Sequence, residues 1–219
     1  MFKKIKWIGN NVNRDILQLL KENQSSINLK EVLPSYFPFS HFSMCVTDLE
    51  IVINSVFFGK SKKILECGSG LSTIAIAKFL KNDPDAKIIS LEHDKEWIDI
   101  MNRLIEREGL TNIVIHHTPL IDFDIDSVKG KWYDISNVNL DSDFDMLVID
   151  GPPSYKKGLQ LSRYPAISLI QNKLKKDGMF YMDDFRRTGE VEVLKKWEQK
   201  IKLNPGKKNL YGKGQIYFK

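Results

Sequence analysis

Short apolar runs alternate along most of the chain with segments whose apolar residues recur at helical spacing. Before the tail, five runs predict β-strands, at residues 63–66, 86–91, 112–116, 144–149 and 179–182. Helical segments precede the first run and follow all but the third. Because strands alternate with helices, the predicted fold class is α/β, Rossmann-like and doubly wound around a mostly parallel sheet.

The two ends of the chain depart from this alternation. Residues 1–45 contain a predicted short helix at 13–21, and then a segment at 33–44 with two prolines and four aromatic residues. Since the prolines exclude regular structure, this segment either packs on the core or forms a lid over a pocket. We therefore divide the chain into an N-terminal extension, residues 1–45, and one domain, residues 46–219. The tail of that domain is predicted to add strands at 200–203 and 215–218.

Local patterns predict one helix start and one loop. Thr47-Asp48-Leu49-Glu50 has the spacing of a capping box and predicts a helix start, and Gly59 predicts where that helix ends. Residues 121–143 are acidic and irregular in pattern. They are predicted to form a solvated loop anchored by Trp132 and Tyr133.

A glycine-rich turn, E-C-G-S-G-L-S-T at residues 66–73, joins the first predicted strand to the helix that follows. Gly68 and Gly70 allow positive φ angles and leave room for a ligand to approach the backbone. The helix start offers unpaired N–H groups and a positive dipole end, which suit a carboxylate or phosphate. A glycine turn without any ligand is the alternative interpretation.

The turn does not complete the dinucleotide fingerprint G-x-G-x-x-G. Thr73 occupies the position of the third glycine, and Glu66 at the strand end would repel a pyrophosphate but attract an ammonium group. A nicotinamide-dependent oxidoreductase on a Rossmann fold is therefore disfavoured. It stays open as an alternative, as does a binding module without catalytic activity.

Acidic residues end four of the predicted strands: Glu66, Glu92, Asp150 and the pair Asp183-Asp184. Parallel strands bring their carboxyl ends to one rim of the sheet, where ligands bind. Carboxylates gathered there repel one another unless a cation, a hydroxyl-rich ligand or a basic partner lies between them. Glu92 follows the first glycine of the turn by 24 residues, close to the spacing of an acid that binds ribose hydroxyls.

Composition restricts the partners and the compartment. The net charge is +5, but the lysines occur as scattered doublets without interleaved aromatic residues, so nucleic acid is not expected as a partner. No run approaches the ~18 apolar residues of a membrane span. The two cysteines, Cys45 and Cys67, form no metal or disulfide motif, which predicts a reducing, cytoplasmic location. A homo-oligomer is left open.

These motifs resemble those of class I S-adenosylmethionine-dependent methyltransferases, and in particular bacterial small-molecule O-methyltransferases. The resemblance covers most of residues 45–219 and includes Arg163-Tyr164-Pro165 and the segment 178–186. It implies a seven-stranded sheet whose last strand is antiparallel, and S-adenosyl-L-methionine as the cofactor. The implied cofactor-binding residues are Glu66, Gly68, Ser69, Gly70, Ser72, Glu92, His93, Thr118, Pro119 and Asp150.

The resemblance also favours transfer to oxygen on a hydroxylated small molecule or glycan. Amino-group methyltransferases resemble one another in an Asp/Asn-Pro-Pro-aromatic motif, whereas Gly151 and Ser154 interrupt that pattern here. Metal-dependent O-methyltransferases resemble this chain in their acids after the fourth and fifth strands, the second being followed by Asn.

The corresponding metal ligands here would be Asp150 and Asp183, with Asp184 in place of the Asn. Three carboxylates suit Mg²⁺, which prefers oxygen ligands. Asp150 and Lys156 are the candidate catalytic residues. Lys156 could act as a base if burial lowered its pKa, and a solvated loop lysine is the alternative interpretation.

Overall fold

The computed structural model describes residues 2–34, 36–37, 40, 42–140, 143–206 and 210–219, with only the backbone for residues 2–14. Of the aromatic segment at 33–44, residues 35, 38, 39 and 41 lie outside the described residues. The helices are α1 Phe2–Asn28, α2 Val46–Phe58, α3 Leu71–Phe79, α4 Lys95–Arg107, α5 Ala166–Asn172 and α6 Thr188–Glu198. The strands are β1 Lys63–Cys67, β2 Lys87–Glu92, β3 Ile113–His117, β4 Leu120–Ile125, β5 Val128–Tyr133, β6 Phe144–Ile149, β7 Leu174–Met182, β8 Asn204–Pro205 and β9 Gln215–Phe218.

Seven of these strands form one sheet in the order β3-β2-β1-β6-β7-β9-β8. The first five in this order run parallel to one another, whereas β9 is antiparallel to both β7 and β8. The predicted seven-stranded, mostly parallel sheet with an antiparallel last strand is confirmed. Because β1 lies between β2 and β6, the direction of the connections reverses there, which opens a crevice for a ligand at the strand ends.

Two apolar layers cover the faces of the sheet. Within β1, Ile64 packs in the layer that contains α2, α3 and α4, while Leu65 packs in the layer that contains α5, α6 and the β5 strand. Met146 and Leu147 divide in the same way on β6. These four side chains are fully buried, and each contributes about 1.5–3 kcal/mol through its burial. Burial on both faces explains why these strands read as continuous apolar runs.

The solvated loop predicted at residues 121–143 is wrong in its first half, where β4 and β5 form an antiparallel hairpin. Two ion pairs join the strands. Asp122 lies 2.9 Å from Lys131, and Asp124 lies 3.2 Å from Lys129. The acidic residues are therefore one face of a strand in which apolar and acidic residues alternate, and their charges are paired across the hairpin.

Asp126 and Ser127 form the turn of this hairpin with φ angles of 52° and 62°. Positive φ at both central positions is the geometry that matches the right-handed twist of the strands. The predicted anchor of the segment is confirmed, because Trp132 and Tyr133 are both buried.

The N-terminal helix is longer than the predicted span of 13–21, since α1 covers Phe2–Asn28. Glu50 of α2 fastens its C-terminal half by accepting hydrogen bonds from Lys21, Ser25 and Asn28. Despite its length, α1 is too polar to cross a bilayer, and none of the other described helices meets the requirement either.

The capping box predicted at the start of α2 is wrong. Its polar side chains bind the C-terminal segment instead: Thr47 Oγ1 donates to the carbonyl of Tyr211 at 3.1 Å, and Asp48 accepts from the N–H of Lys213 at 2.6 Å. The first tail strand is also misplaced in the prediction. The N–H groups of Lys200 and Ile201 still bond to the Trp197 carbonyl at the end of α6, so β8 begins only at residue 204.

Candidate active site

A cavity lies at the carboxyl ends of β1, β2, β6 and β7, where the acidic rim was predicted. Its lining includes eight of the predicted site residues: Gly68, Ser69, Gly70, Glu92, His93, Asp150, Asp183 and Asp184. Five others are absent from the lining: Glu66, Ser72, Thr118, Pro119 and Lys156. The sequence therefore identifies the rim itself more accurately than the residues just behind it.

The glycine-rich turn approaches the end of β6 backbone to backbone. Gly68 has φ +94°, and a Cβ there would lie 3.2 Å from the Gly151 nitrogen, so a side chain would be strained by the backbone conformation and tightly packed against Gly151. The N–H of Gly70 donates to Thr73 Oγ1 at 2.8 Å. Thr73, at the position of the missing third glycine, thus caps the start of α3 with its side chain.

Glu66 lies beneath this turn with no exposed surface. Its carboxylate accepts hydrogen bonds from the hydroxyls of Ser72 and Thr73. Burial raises the pKa of Glu66 to about 7, although those hydroxyls favour the ionised form. Glu66 and Ser72 therefore fasten β1 to α3 and support the turn from below, away from the cavity lining.

Glu92 organises the neighbouring strand end at the cavity wall. One oxygen accepts from the N–H of Ser69 at 2.9 Å, and the other accepts from the N–H groups of His93 and Asp94 at 2.7 and 2.9 Å. Burial opposes ionisation of Glu92. The His93 ring, whose Nδ1 lies 2.8 Å from Glu92 Oε1, and the N–H donors outweigh this effect, so the pKa of Glu92 is lowered. The group is a permanent carboxylate at neutral pH.

Thr118 and Pro119 connect the cavity wall to the hairpin. The Thr118 N–H donates to the Glu92 carbonyl at 2.7 Å, and the Pro119 carbonyl accepts from the Asp134 N–H at 2.8 Å. Thr118 is fully buried. These residues position β2 and the hairpin relative to each other, and in this structure they do not face the cavity.

Asp150, Asp183 and Asp184 form a cluster of carboxylates, with one oxygen from each lying within 4.8 Å of the others. Burial and then the charge of Asp183 raise the pKa of Asp150 well above its usual range. The same two causes raise the pKa of Asp184 to about 6. The Tyr181 hydroxyl donates to Asp183 at 2.8 Å and fixes the orientation of that carboxylate. The three acids predicted at the ends of two strands are thus brought together.

A buried arginine lies against this cluster. Arg163 is 3% exposed, and its guanidinium donates to the main-chain carbonyls of Asp150 and Asp183. It lies 3.6 Å from the Asp150 carboxylate, 4.0 Å from that of Asp184 and 3.6 Å from that of Glu190. A rim of acids indicates that a basic partner lies nearby, but the sequence alone does not identify Arg163 as that partner.

Trp97 carries no signal of a site role in the sequence, whereas Phe37 and Phe42 belong to the aromatic segment that was expected to pack on the core or to form a lid. Trp97 has the helical spacing of a core residue, yet it lines the cavity, and its indole N–H donates to the Ser69 carbonyl at 2.9 Å. Phe37 packs edge-on against Trp97, with the ring centroids 6.1 Å apart. At the cavity mouth the exposed rings of Phe42 and Tyr155 lie 5.6 Å apart. The N-terminal extension thus forms part of the cavity wall.

Lys156 is exposed and lies outside the cavity lining. The burial on which a role as a base depends is absent. Its ammonium group lies 5.8 Å from the Tyr155 ring centroid. Of the two interpretations made from the sequence, the solvated loop lysine agrees with this position.

The doubly wound sheet, the glycine turn at β1 and the acid at the end of β2 define the class I methyltransferase type of α/β protein. A family model described as "Methyltransferase domain" matches residues 65–185, more than half of the 219 residues, and the chain belongs to this family. It is an S-adenosylmethionine-dependent methyltransferase. This membership argues against the nicotinamide-dependent alternative. No curated protein sequence matches the chain.

Solved structures share the fold at low sequence identity. The methyltransferase PaMTH1 of Podospora anserina, solved with S-adenosylhomocysteine, has a TM-score of 0.62 and 16% identity, covering 96% of this chain and 97% of that chain. The O-methyltransferase TomG of Streptomyces achromogenes, solved with S-adenosylmethionine, has a TM-score of 0.55 and 13% identity, covering 92% and 87%. The ribosomal protein L11 methylase of Lactobacillus delbrueckii subsp. bulgaricus has a TM-score of 0.53 and 15% identity, covering 84% and 81%. An O-methyltransferase and a ribosomal protein methylase thus share the fold.

Proposed function

We propose that the protein transfers the methyl group of S-adenosylmethionine to a hydroxyl of a small molecule or glycan. We further propose that Asp150, Asp183 and Asp184 hold a divalent cation, Mg²⁺ in the first instance. The observation that carries the proposal is this carboxylate cluster, which opens on the same cavity as the glycine turn and Glu92.

The residues of the cluster fit a hard divalent cation. All three donors are carboxylate oxygens, the ligand type that Mg²⁺ prefers. Including Glu190, four carboxylates face two guanidiniums, those of Arg163 and Arg187, the latter 2.8 Å from Asp184. These six side chains carry two negative charges in excess when all are ionised, which a divalent cation would neutralise.

The cofactor would lie along the rim, from the glycine turn to Glu92. The main-chain N–H groups at the start of α3 suit its carboxylate. Glu92 is proposed to accept from the ribose hydroxyls in exchange for the Ser69 hydroxyl and the His93 side chain, which lie 3.1 and 2.8 Å from its carboxylate oxygens in this structure. Glu66 is proposed to act indirectly, by holding the turn in shape through Ser72 and Thr73. Thr118 and Pro119 are proposed to shape the adenine end by their bonds to Glu92 and Asp134.

The chemistry places few demands on the protein beyond alignment and proton removal. When bound, S-adenosylmethionine supplies an electrophilic sulfonium methyl, and a divalent cation supplies a Lewis acid that lowers the pKa of a hydroxyl. Arg163 holds the ends of β6 and β7 in register through their carbonyls, and Tyr181 orients Asp183. If no cation is used, Asp150 is proposed to accept the proton of the acceptor.

The acceptor would enter between the N-terminal extension and the loop after β6. Phe42 and Tyr155 contact each other across this entrance, with ring centroids 5.6 Å apart, so the two rings would have to separate to admit the acceptor, and Phe37 closes the side next to Trp97. We propose that this part of the extension acts as a lid. A cytoplasmic location, expected from the cysteine content, stays a prediction. Assembly into a homo-oligomer is left open.

Cation binding can be tested without knowing the acceptor. Titration of the purified chain with Mn²⁺, followed by electron paramagnetic resonance, is expected to reveal one bound ion in the wild type and none in Asp183→Asn. Asp122→Asn provides the matched control, because it removes an equal charge from an exposed hairpin residue outside the cavity. Both variants should still bind S-adenosylmethionine in calorimetry.

Once an acceptor is found, methyl transfer should stop in EDTA and return with Mg²⁺. Full turnover in EDTA would exclude a need for the cation, and Mn²⁺ binding by Asp183→Asn equal to that of the wild type would exclude the carboxylate cluster as its site. Asp150 would then be the remaining candidate base.

A further inference from the structure

Tyr133, the last residue of β5, places a hydroxyl group in the cavity wall. The side chain is 2% exposed, and the hydroxyl oxygen is buried without a hydrogen-bond partner among the described residues. Tyr133 nonetheless belongs to the cavity lining. A buried polar group without a partner is unfavourable, and in native proteins it is usually explained by a bound molecule that the structure lacks.

The position of the hydroxyl is fixed by two glycines. A Cβ on Gly151 would lie 2.1 Å from Tyr133 Oη and 3.2 Å from the Gly68 Cα. The hydroxyl therefore reaches the crevice between the ends of β1 and β6, directly beside the glycine-rich turn. Glycine at position 151 leaves the space that the hydroxyl occupies.

The phenol is neutral at physiological pH. Burial raises its pKa well above the usual value, and the negative charges of Glu92 and Asp150 add to this effect. A neutral phenol can donate one hydrogen bond and accept others. The chain satisfies none of these with a described residue, so the hydroxyl is free to bind a ligand with either role.

We propose that the Tyr133 hydroxyl binds the methionine end of S-adenosylmethionine, as a cofactor contact supplied by the hairpin between β3 and β6. This contact rests on the proposed placement of the cofactor along the rim. The methionine end carries a carboxylate that can accept from the hydroxyl and an ammonium group that can donate to it. The ribose end of the cofactor is proposed to contact Glu92 instead, at the end of the neighbouring strand β2.

The test is Tyr133→Phe in the full-length chain, with two ligands compared by calorimetry. S-adenosylhomocysteine contains the amino-acid end, whereas 5′-methylthioadenosine shares the nucleoside and the thioether sulfur but lacks that end. The variant is expected to bind S-adenosylhomocysteine about tenfold more weakly, since one hydrogen bond to a charged group is lost. Its affinity for 5′-methylthioadenosine should be unchanged.

Stability separates this role from a structural one. Because the hydroxyl has no partner among the residues that the structure describes, ligand-free Tyr133→Phe should unfold at a temperature no lower than the wild type. Tyr164→Phe is the matched control: its hydroxyl is bonded to Asp126 at 2.7 Å and lies outside the cavity lining. That variant should lose thermal stability while keeping its affinity for S-adenosylhomocysteine.

Three results would overturn the contact. These are unchanged S-adenosylhomocysteine affinity in Tyr133→Phe, an equal loss for both ligands, or a lowered unfolding temperature without ligand. Failure of the wild type to bind S-adenosylhomocysteine at all would instead contradict the proposed function, and the contact with it.

Discussion

Glu66 is a carboxyl group that serves the rim from beneath. It is fully buried, so burial raises its pKa from 4.5 to about 7, against the opposing effect of the Ser72, Thr73 and Ser90 hydroxyls. Near neutral pH the group therefore changes between a protonated and an ionised form within the folded protein. The unfolded chain ionises it at much lower pH.

This difference predicts a pH dependence of stability that Glu66→Gln should remove. A folded-state pKa above the unfolded value stabilises the protein below pH 4.5, and that contribution is lost as the pH rises to about 7. Relative to the variant, the wild type should lose on the order of 3 kcal/mol of unfolding free energy across this range. Urea denaturation at pH 4.5 to 8 measures the free energy of unfolding of both proteins. If this free energy changed with pH by the same amount in the wild type and the variant, the raised pKa of Glu66 would be contradicted.

At the level of elements, the β4–β5 hairpin carries a turn that its sequence does not favour. Ser127 has φ +62°, a left-handed conformation in which most side chains are strained. Asp-Gly is preferred at the two central positions of such a turn.

Ser127→Gly should therefore increase the free energy of unfolding by about 0.5–1 kcal/mol, because the strain is removed. Chemical denaturation provides the measurement. Ser168→Gly, at an exposed position within α5, should instead decrease the free energy of unfolding, since glycine is unfavourable inside a helix. A loss of stability in Ser127→Gly would contradict the argument.

The same hairpin shows where reading the sequence failed among the elements. Residues 121–126 alternate apolar and acidic side chains, which is the period of a strand, but their acidic composition suggested a solvated loop. The turn also lacks the glycine that would have marked a hairpin. In contrast, the five central strands were predictable, because long apolar runs between helical segments have few other structural solutions.

At the scale of the molecule, both ends of the chain close the cavity. Phe37, Phe42 and Met44 line it from the N-terminal extension, and Lys213 lines it from the segment before β9. Asp48 accepts from the Lys213 N–H and so joins these two regions at the start of α2.

Closure over the cofactor predicts slower hydrogen exchange at residues 42–45 when S-adenosylhomocysteine binds, as expected for a lid. Exchange measured by mass spectrometry should change there and remain the same in α5, which lies outside the cavity lining. Equal exchange with and without ligand would make the segment ordinary packing rather than a lid.

The site was predictable where chain connectivity determines it. Acids at the ends of consecutive parallel strands must meet on one rim, so Asp150, Asp183 and Asp184 could be grouped from the sequence. Arg163 and Trp97 lie in loop and helical segments and contact the rim only through their long side chains. The pattern of apolar and polar residues does not predict such contacts. Tyr133 required knowledge of the hairpin.

The insertion of β9 between β7 and β8 has a consequence for how the protein is made. As the chain leaves the ribosome, β7 can pair with β6 at once, but its other edge stays open until β9 emerges. Roughly 30 residues separate them, which corresponds to about 2–6 s of synthesis. During that interval the nascent protein presents a row of unpaired main-chain groups beside the apolar residues Met179–Met182, the kind of edge on which chaperones act.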